Sequence, residues 1–476
     1  MKNKARGLAL LALALTVVTV PANASAAACT DVPNKYNQPF SVCDDELLIF
    51  ATSYKPFEST IDGNRQGTRV FDEIIGNKLR AAFPDVKIKY ATWDLPVRYE
   101  DLKKVGVTPD IIIEDPRSRI DRDLEPLGWV GDLTADLQKT GIDLGKLNKA
   151  SVELVKSRSD GGVYGVPLFI DEHVLLYNKK IFNKFGVKHP KPGMTYDEAY
   201  TLAKKLTRDD GLDHYKGYMQ HPDQYLEFNQ LGLYPFLPTT SEEPKPEEIK
   251  VNITGNGWKQ YVENLYRFLE IPRNEFTTVT DFFKGDMSRP GHLAMAVETL
   301  SRLNMYAGSE LYIKDGDEAA FKEQAKSVDI GVTSIPVLKR GSKAIYQPNT
   351  RAAFIPPSSP KKDQALQIVK WLVSEEAQTE FSKKGIKAVL QTEGVVSNFG
   401  KSIPELAGID TSAVYWGENA AVSNYQNTEF WDLPLYSVYR QHVLRDGMTP
   451  EQSLTATEQQ DIPAYIKAQA AAGKNW

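Results

Sequence analysis

The feature that most constrains the fold is a change of period that repeats from Glu46 onward. Short apolar runs of strand length alternate there with segments whose apolar residues return every three or four positions. Leu47 to Ala51 reads as a buried strand, and the segment after it sets Val70, Ile74, Ile75, Leu79 and Phe83 on one helical face. Val86 to Tyr90 reads as a second strand, and Pro109-Asp110-Ile111-Ile112-Ile113 introduces a third. Strands separated by helices favour parallel pairing, so the pattern predicts a layered α/β protein. In such sheets ligands bind just outside the carboxyl ends of the strands. Those ends are Thr52-Ser53-Tyr54-Lys55, Thr92-Trp93-Asp94 and Glu114-Asp115-Pro116-Arg117, each with polar or aromatic groups suited to a sugar-like ligand.

The first 28 residues have a different character. Lys2, Lys4 and Arg6 precede an apolar run from Leu8 to Val20, then Pro21 and the small residues Ala22 to Ala28. This order predicts a secretory signal peptide over residues 1–28. The run is too short for a permanent membrane span, so the mature chain is expected outside the cell, at the outer face of the membrane or in a periplasm. Nearly 450 residues then remain of the 476, more than one core usually serves, and at least two domains are expected. Taking those three cations from 57 basic residues against 62 acidic ones leaves a charge of about −8, which argues against nucleic acid as a partner. Cys29 and Cys43 open the mature chain, and two readings of them stand. Export permits a disulfide between them; alternatively Cys29, after Ala26-Ala27-Ala28, is the lipidated first residue of a lipoprotein and Cys43 is unpaired.

The segment from Asp160 to Thr207 carries the most information. It ends in a well-signalled helix: Thr195 and Glu198 have the spacing of a capping box, and Ala199, Leu202, Ala203 and Leu206 form an apolar stripe behind them. Its beginning, Asp160-Gly161-Gly162-Val163-Tyr164-Gly165-Val166-Pro167, then Asp171 and a strand ending Tyr177-Asn178-Lys179, resembles the crossover of family 1 extracellular solute-binding proteins, the maltose-binding-protein-like group. Further resemblances follow in the family's order. Phe283-Lys284-Gly285-Asp286 with Ala294-Met295-Ala296-Val297 is similar to its F-x-x-G-x-A-A-M segment, with a longer insertion between the halves. Asp329-Ile330-Gly331-Val332 through Ile335-Pro336 is similar to its G-V-x-x-x-P strand. The helix with Ala365, Ile368, Val369, Leu372 and Val373, closing in Ser374-Glu375-Glu376-Ala377-Gln378, is similar to its helix ending S-x-E-A-Q.

The resemblance implies a type II, periplasmic-binding-protein-like fold, with two discontinuous α/β lobes joined by three crossing segments. Carried onto this chain, lobe one takes 44–169 and 296–332, and lobe two 170–295 and 333–476. The crossings then fall near Leu168 to Asp171, Ala294 to Val297 and Gly331 to Ile335. It further implies a monomeric solute-binding component of an ABC importer that closes about a hinge on an oligosaccharide and hands it to a membrane permease. A peptide, a polyamine or another small solute is the alternative ligand.

A sugar needs paired donors and acceptors for its hydroxyls and aromatic planes for its ring faces. Asp171 is the leading candidate contact because the resemblance places a ligand-facing polar residue there; an ion pair at a hinge is the other account. Of Glu172 and His173, strand alternation turns one away. Tyr54, Trp93, Glu114, Asp115 and Arg117 stand at the predicted strand ends, where Trp93 is either a stacking platform or core. Arg117 serves either a carboxylate-bearing ligand or surface ion pairs with Asp121 or Asp123. Glu298 follows the Ala294–Val297 strand at a position the family turns toward its cleft. Arg351 follows the polar run Gln347-Pro348-Asn349-Thr350, and Trp416, Trp431 and Tyr436 lie in an aromatic-rich region where the family often places stacking residues.

Catalysis finds no foothold. There is no nucleophile elbow, phosphate-cradling loop or dinucleotide fingerprint, and acidic pairs are inevitable among 62 acidic residues, so a secreted glycoside-active enzyme is the weakest reading. The histidines are scattered without metal-ligand spacing, so neither a metal nor a cofactor is expected.

Overall fold

The computed structural model describes residues 27–33, 39–51, 66–92, 97–117, 120–157, 159, 161–235, 237, 245, 248–274, 291–313, 318–422 and 440–471. All but the last two residues of the expected signal segment, and the candidates Tyr54, Trp93, Trp431 and Tyr436, lie outside the described residues.

The chain opens with a hairpin of β1 (Cys29–Asp31) and β2 (Ser41–Cys43), in which Cys29 and Cys43 face each other and are joined by a disulfide. Of the two readings of these cysteines, the structure adopts the bridge, which occupies the thiol a lipid anchor would need. The strands that follow are β3 (Glu46–Ala51), β4 (Lys87–Thr92), β5 (Ile111–Glu114), β6 (Gly165–Ile170) and β7 (His173–Asn178). After a short hairpin of β8 (Arg208–Asp210) and β9 (Asp213–Tyr215) come β10 (Met219–Gln220), β11 (Met295–Thr299) and β12 (Ile330–Ser334). The last are β13 (Ala344–Ile345), β14 (Thr350–Phe354), β15 (Lys387–Ala388) and β16 (Glu418–Asn419).

Two sheets organise these strands. The first has the order β15-β6-β14-β5-β3-β4. Its β4, β3 and β5 are parallel, as the strand–helix alternation predicts, and β14, β6 and β15 extend it antiparallel. Leu47 to Ala51 are each no more than 1% exposed, the burial on both faces that a continuous apolar strand serves. The helical run after β3 includes a widened turn at Asp72–Gly76, and it still delivers Val70, Ile74, Ile75 and Leu79 to this core. The second sheet has the order β10-β11-β7-β12, with β7 antiparallel to both neighbours. The helix Tyr196–Leu206 packs on it and begins with the expected capping box: the Glu198 amide donates to the Thr195 hydroxyl at 3.3 Å, and the Thr195 amide to the Glu198 carboxylate at 2.9 Å. Each sheet anchors its own core, so the molecule has two lobes.

The lobe boundaries differ from those the sequence suggests. Residues 296–332, expected in lobe one, contribute β11 and β12 to the second sheet on either side of β7. Gly331 exists there because a Cβ would stand 2.1 Å from the ring of Tyr177. Conversely β14, β15 and the helices Lys362–Leu372 and Glu375–Lys383, expected in lobe two, pack in the core of lobe one. The crossings fall accordingly. The first, Asp171-Glu172 between β6 and β7, lies where it was expected. The second passes through Gln347-Pro348-Asn349, and the third runs from Val395 of the first core to Phe399 against the second. The misplaced bounds came from carrying the family's crossings onto this chain, and since an apolar strand reports its own burial, not its neighbour, the pattern along the chain could not correct them.

Candidate functional site

The crossings gather polar side chains that the two apolar cores would otherwise exclude. Asp171, 6% exposed, donates its amide to the Asn349 carbonyl at 2.9 Å and so ties the first crossing to the second. Its carboxylate accepts from the Ser301 amide at 2.9 Å, at the start of the helix Leu300–Ala307. Burial pushes this carboxyl above its usual range, against the pull of the Ser301 amide and the Arg351 guanidinium. Glu172 turns the other way. One of its oxygens accepts from the His173 amide at 3.0 Å; the other accepts from Lys387 at 2.8 Å and from the Asn419 amide at 2.7 Å. His173 packs between Phe228 and Tyr346, at 5.0 and 5.1 Å, and burial pushes its imidazole down to about 4.

Lobe one contributes the carboxyl end of β5, as parallel-sheet geometry predicts. Glu114 is buried and accepts from the Tyr99 hydroxyl at 3.4 Å and the Asp115 amide at 2.7 Å. Asp115 accepts from the Arg117 amide at 2.9 Å and lies 3.7 Å from Arg351. Arg351 donates to the Asn349 side chain at 2.9 Å and the Thr350 carbonyl at 3.0 Å. Arg117 is 1% exposed and not at the surface: it donates to the Pro348 carbonyl at 3.2 Å, and its guanidinium lies 4.7 Å from the ring of Phe228 in lobe two. From lobe two, Glu298 on β11 accepts from the Tyr306 hydroxyl at 3.3 Å. Trp416 stands apart from these groups, against Gly193 and with the Lys343 ammonium 4.0 Å from its ring. Glu114, Asp115, Arg117, Asp171, Glu172 and Arg351 thus meet around the crossings, and Glu298 borders them through the pairing of β11 with β7.

Sequence reasoning missed Lys387, Asn419, Gln347 and Phe228. Lys387 left a signal, as a single cation inside the apolar run Ile386 to Leu390, where a charge requires a partner. Gln347 donates its amide to the Phe228 carbonyl at 2.9 Å and its side chain to the Asn229 carbonyl at 3.0 Å, fixing the second crossing to lobe two. Among the described residues no group of three or more His, Cys, Asp or Glu side chains could hold a metal ion. Nor is any described helix long and apolar enough to cross a membrane.

A family model described as bacterial extracellular solute-binding protein matches residues 63–379. Among solved structures, the sugar-binding protein MalE of Xanthomonas citri is 15% identical, with a TM-score of 0.63 over 90% of this chain and 98% of that one. The cyclic alpha-maltosyl-1,6-maltose binding protein of Arthrobacter globiformis is 16% identical, with a TM-score of 0.61 over 89% and 99%. UgpB of Mycobacterium tuberculosis, in complex with glycerophosphocholine, is 14% identical, with a TM-score of 0.59 over 90% and 99%. At these identities the likeness is one of fold.

Proposed function

Because the chain belongs to the bacterial extracellular solute-binding proteins, we propose that it takes an oligosaccharide between its lobes and, once closed around it, delivers it to the permease of an ABC importer. The family and fold are those of substrate-binding proteins, not enzymes. The observation that carries the ligand assignment is the convergence of Asp115 and Arg351 from lobe one with Asp171 from the crossing, with Glu298 of lobe two on the strand paired to β7. Carboxylates and a guanidinium spaced in this way serve vicinal hydroxyls as acceptors and donors. Trp93, Trp431, Tyr436 and Tyr54 complete the proposal as stacking surfaces, with Trp416 further out. Export through residues 1–28, a location outside the cell and a monomeric state belong to the same reading.

The test is a thermal-shift and calorimetry screen of the mature protein with neutral oligosaccharides, uronic-acid oligosaccharides, peptides, polyamines and glycerophosphodiesters. A ligand bound by the native state alone raises the melting temperature. The proposal expects an oligosaccharide to do so. It fails if only a non-sugar class does. Asp115→Ala is the better probe of the site than Asp171→Ala, since Asp171 also holds the start of the helix Leu300–Ala307. Losing a charged hydrogen bond to the ligand is worth about 1.5–3 kcal/mol, so Asp115→Ala is expected to weaken binding by about 10- to 100-fold. An unchanged affinity would remove Asp115 from the site.

A further inference from the structure

Glu172 and Lys387 are each 1% exposed, and the reading of the cleft as a ligand site does not use them. Their surroundings give them a different role. Lys387 stands on β15 and is paired in register with Ile170, the residue just before the first crossing. Glu172 is the crossing itself, and its backbone carbonyl accepts from the Leu300 amide of lobe two at 2.9 Å. Asn419, on a strand paired with β13, gives its amide to Glu172 and to the Tyr346 carbonyl, at 2.7 and 3.0 Å. Its carbonyl oxygen accepts from Asn148 at 3.2 Å. Asn148 belongs to lobe one: its amide donates to the Val389 carbonyl at 2.7 Å, and its side chain caps the helix Lys149–Lys156 through the Ser151 amide at 3.0 Å. The Lys387 ammonium lies 5.5 Å from the ring of Tyr415, whose hydroxyl accepts from the Ala388 amide at 3.3 Å.

We infer that the buried Glu172–Lys387 pair is the axle of lobe motion, a positioning element that sets the angle between the lobes without touching the ligand, and that the Asn148–Asn419 bond is the link that rotation breaks. The inference rests on the proposed function, which requires the lobes to move. A buried ion pair contributes little net stability, because desolvation offsets its attraction, and its use lies in fixing geometry. The geometry fixed here joins segments near residues 148, 172, 387 and 419, three of them outside the crossings. Rotation about the first crossing leaves Lys387 beside Glu172, since both are tied to the end of β6. The same rotation carries Asn419, held by lobe two at Tyr346, away from Asn148, held by lobe one at Val389.

The experiment reads the distance between the lobes without any ligand. Spin labels at Lys139→Cys and Lys205→Cys, exposed positions on lobe one and lobe two, report the distance distribution by pulsed dipolar spectroscopy. The double variant Glu172→Gln with Lys387→Met is expected to shift and broaden that distribution in a protein that still folds. Lys387→Arg, which keeps the charge, is expected to restore it. Asn148→Ser keeps a helix cap and removes only the link to Asn419, so it is expected to shift the mean toward wider separation without broadening it. This variant also covers the case in which the double variant does not fold. Distributions identical to the parent in Asn148→Ser and in a folded double variant overturn the inference. Because no ligand enters the measurement, that failure leaves the proposed function standing, and an unproductive ligand screen leaves this measurement intact.

Discussion

The two lobes solve one packing problem with different side chains. Lobe one buries aliphatic strands: Leu47, Leu48, Ile49, Ile111 and Ile112 are each at most 1% exposed in a sheet whose parallel half is covered on both faces. Lobe two has a smaller sheet, and tyrosine rings from its helices and from the segments beside its strands fill the remaining volume. Tyr196, Tyr218, Tyr225, Tyr261 and Tyr346 are all nearly or fully buried, with Tyr225 stacked on Tyr261 at 3.9 Å. Each ring brings a hydroxyl that must be satisfied. Tyr218 donates to Gln220 at 2.6 Å, and Tyr225 to the Tyr261 carbonyl at 2.8 Å. The difference teaches where polarity can enter: the aliphatic lobe holds its charges at strand ends, whereas the tyrosine lobe carries hydrogen-bonding groups through its core to Tyr346, beside the second crossing.

Strong alkali should separate the lobes most. Burial holds all five tyrosine hydroxyls well above their usual range, so the folded lobe keeps protons that the unfolded chain releases above about pH 10. Their stabilising share is complete below that pH and declines above it. Calorimetry between pH 9 and 11.5 should show the transition of lobe two falling first; a joint fall of both lobes would break the comparison. In lobe one, Ile49→Ala removes a fully buried side chain and should cost about 4 kcal/mol in urea unfolding, with little effect on lobe two.

His173 tests the seam between the cores. Its imidazole is pushed down to about 4 by burial, so its share of stability is complete above about pH 6.5 and is lost as pH falls toward 4. The loss amounts to about 3 kcal/mol. Asp171, with its carboxyl raised, acts in the opposite sense over the acid range. Stability measured from pH 7 to 4 should therefore fall less steeply in His173→Gln than in the parent; parallel curves would remove His173 from the account. The smallest effect sharpens the tyrosine side. Tyr225→Phe keeps the ring and removes a hydroxyl that donates to Tyr261 and accepts from Asn264, which should cost about 1 kcal/mol in the transition of lobe two.

Much of this was legible in the sequence because it is local. The strands at Leu47, Val86 and Ile111, the capping box at Thr195 and the first crossing at Asp171 each depend on residues within a few positions of one another. The site was legible where it follows from strand direction, as with Glu114, Asp115 and Arg117 at the end of β5. Arg117, however, is buried and reaches Phe228 of the other lobe, which strand direction alone does not foretell.

What the sequence by itself determined is the α/β alternation and the family membership, both carried by patterns along the chain. Tertiary structure alone decided which sheet each later strand joins, hence the lobe boundaries and two of the three crossings. It alone also brought the buried Glu172 and Lys387 and the half-buried Asn148 and Asn419 into one network. The reason is physical: an apolar run specifies that it will be buried, while its hydrogen-bonding neighbour is chosen by the packing of segments far away in the chain.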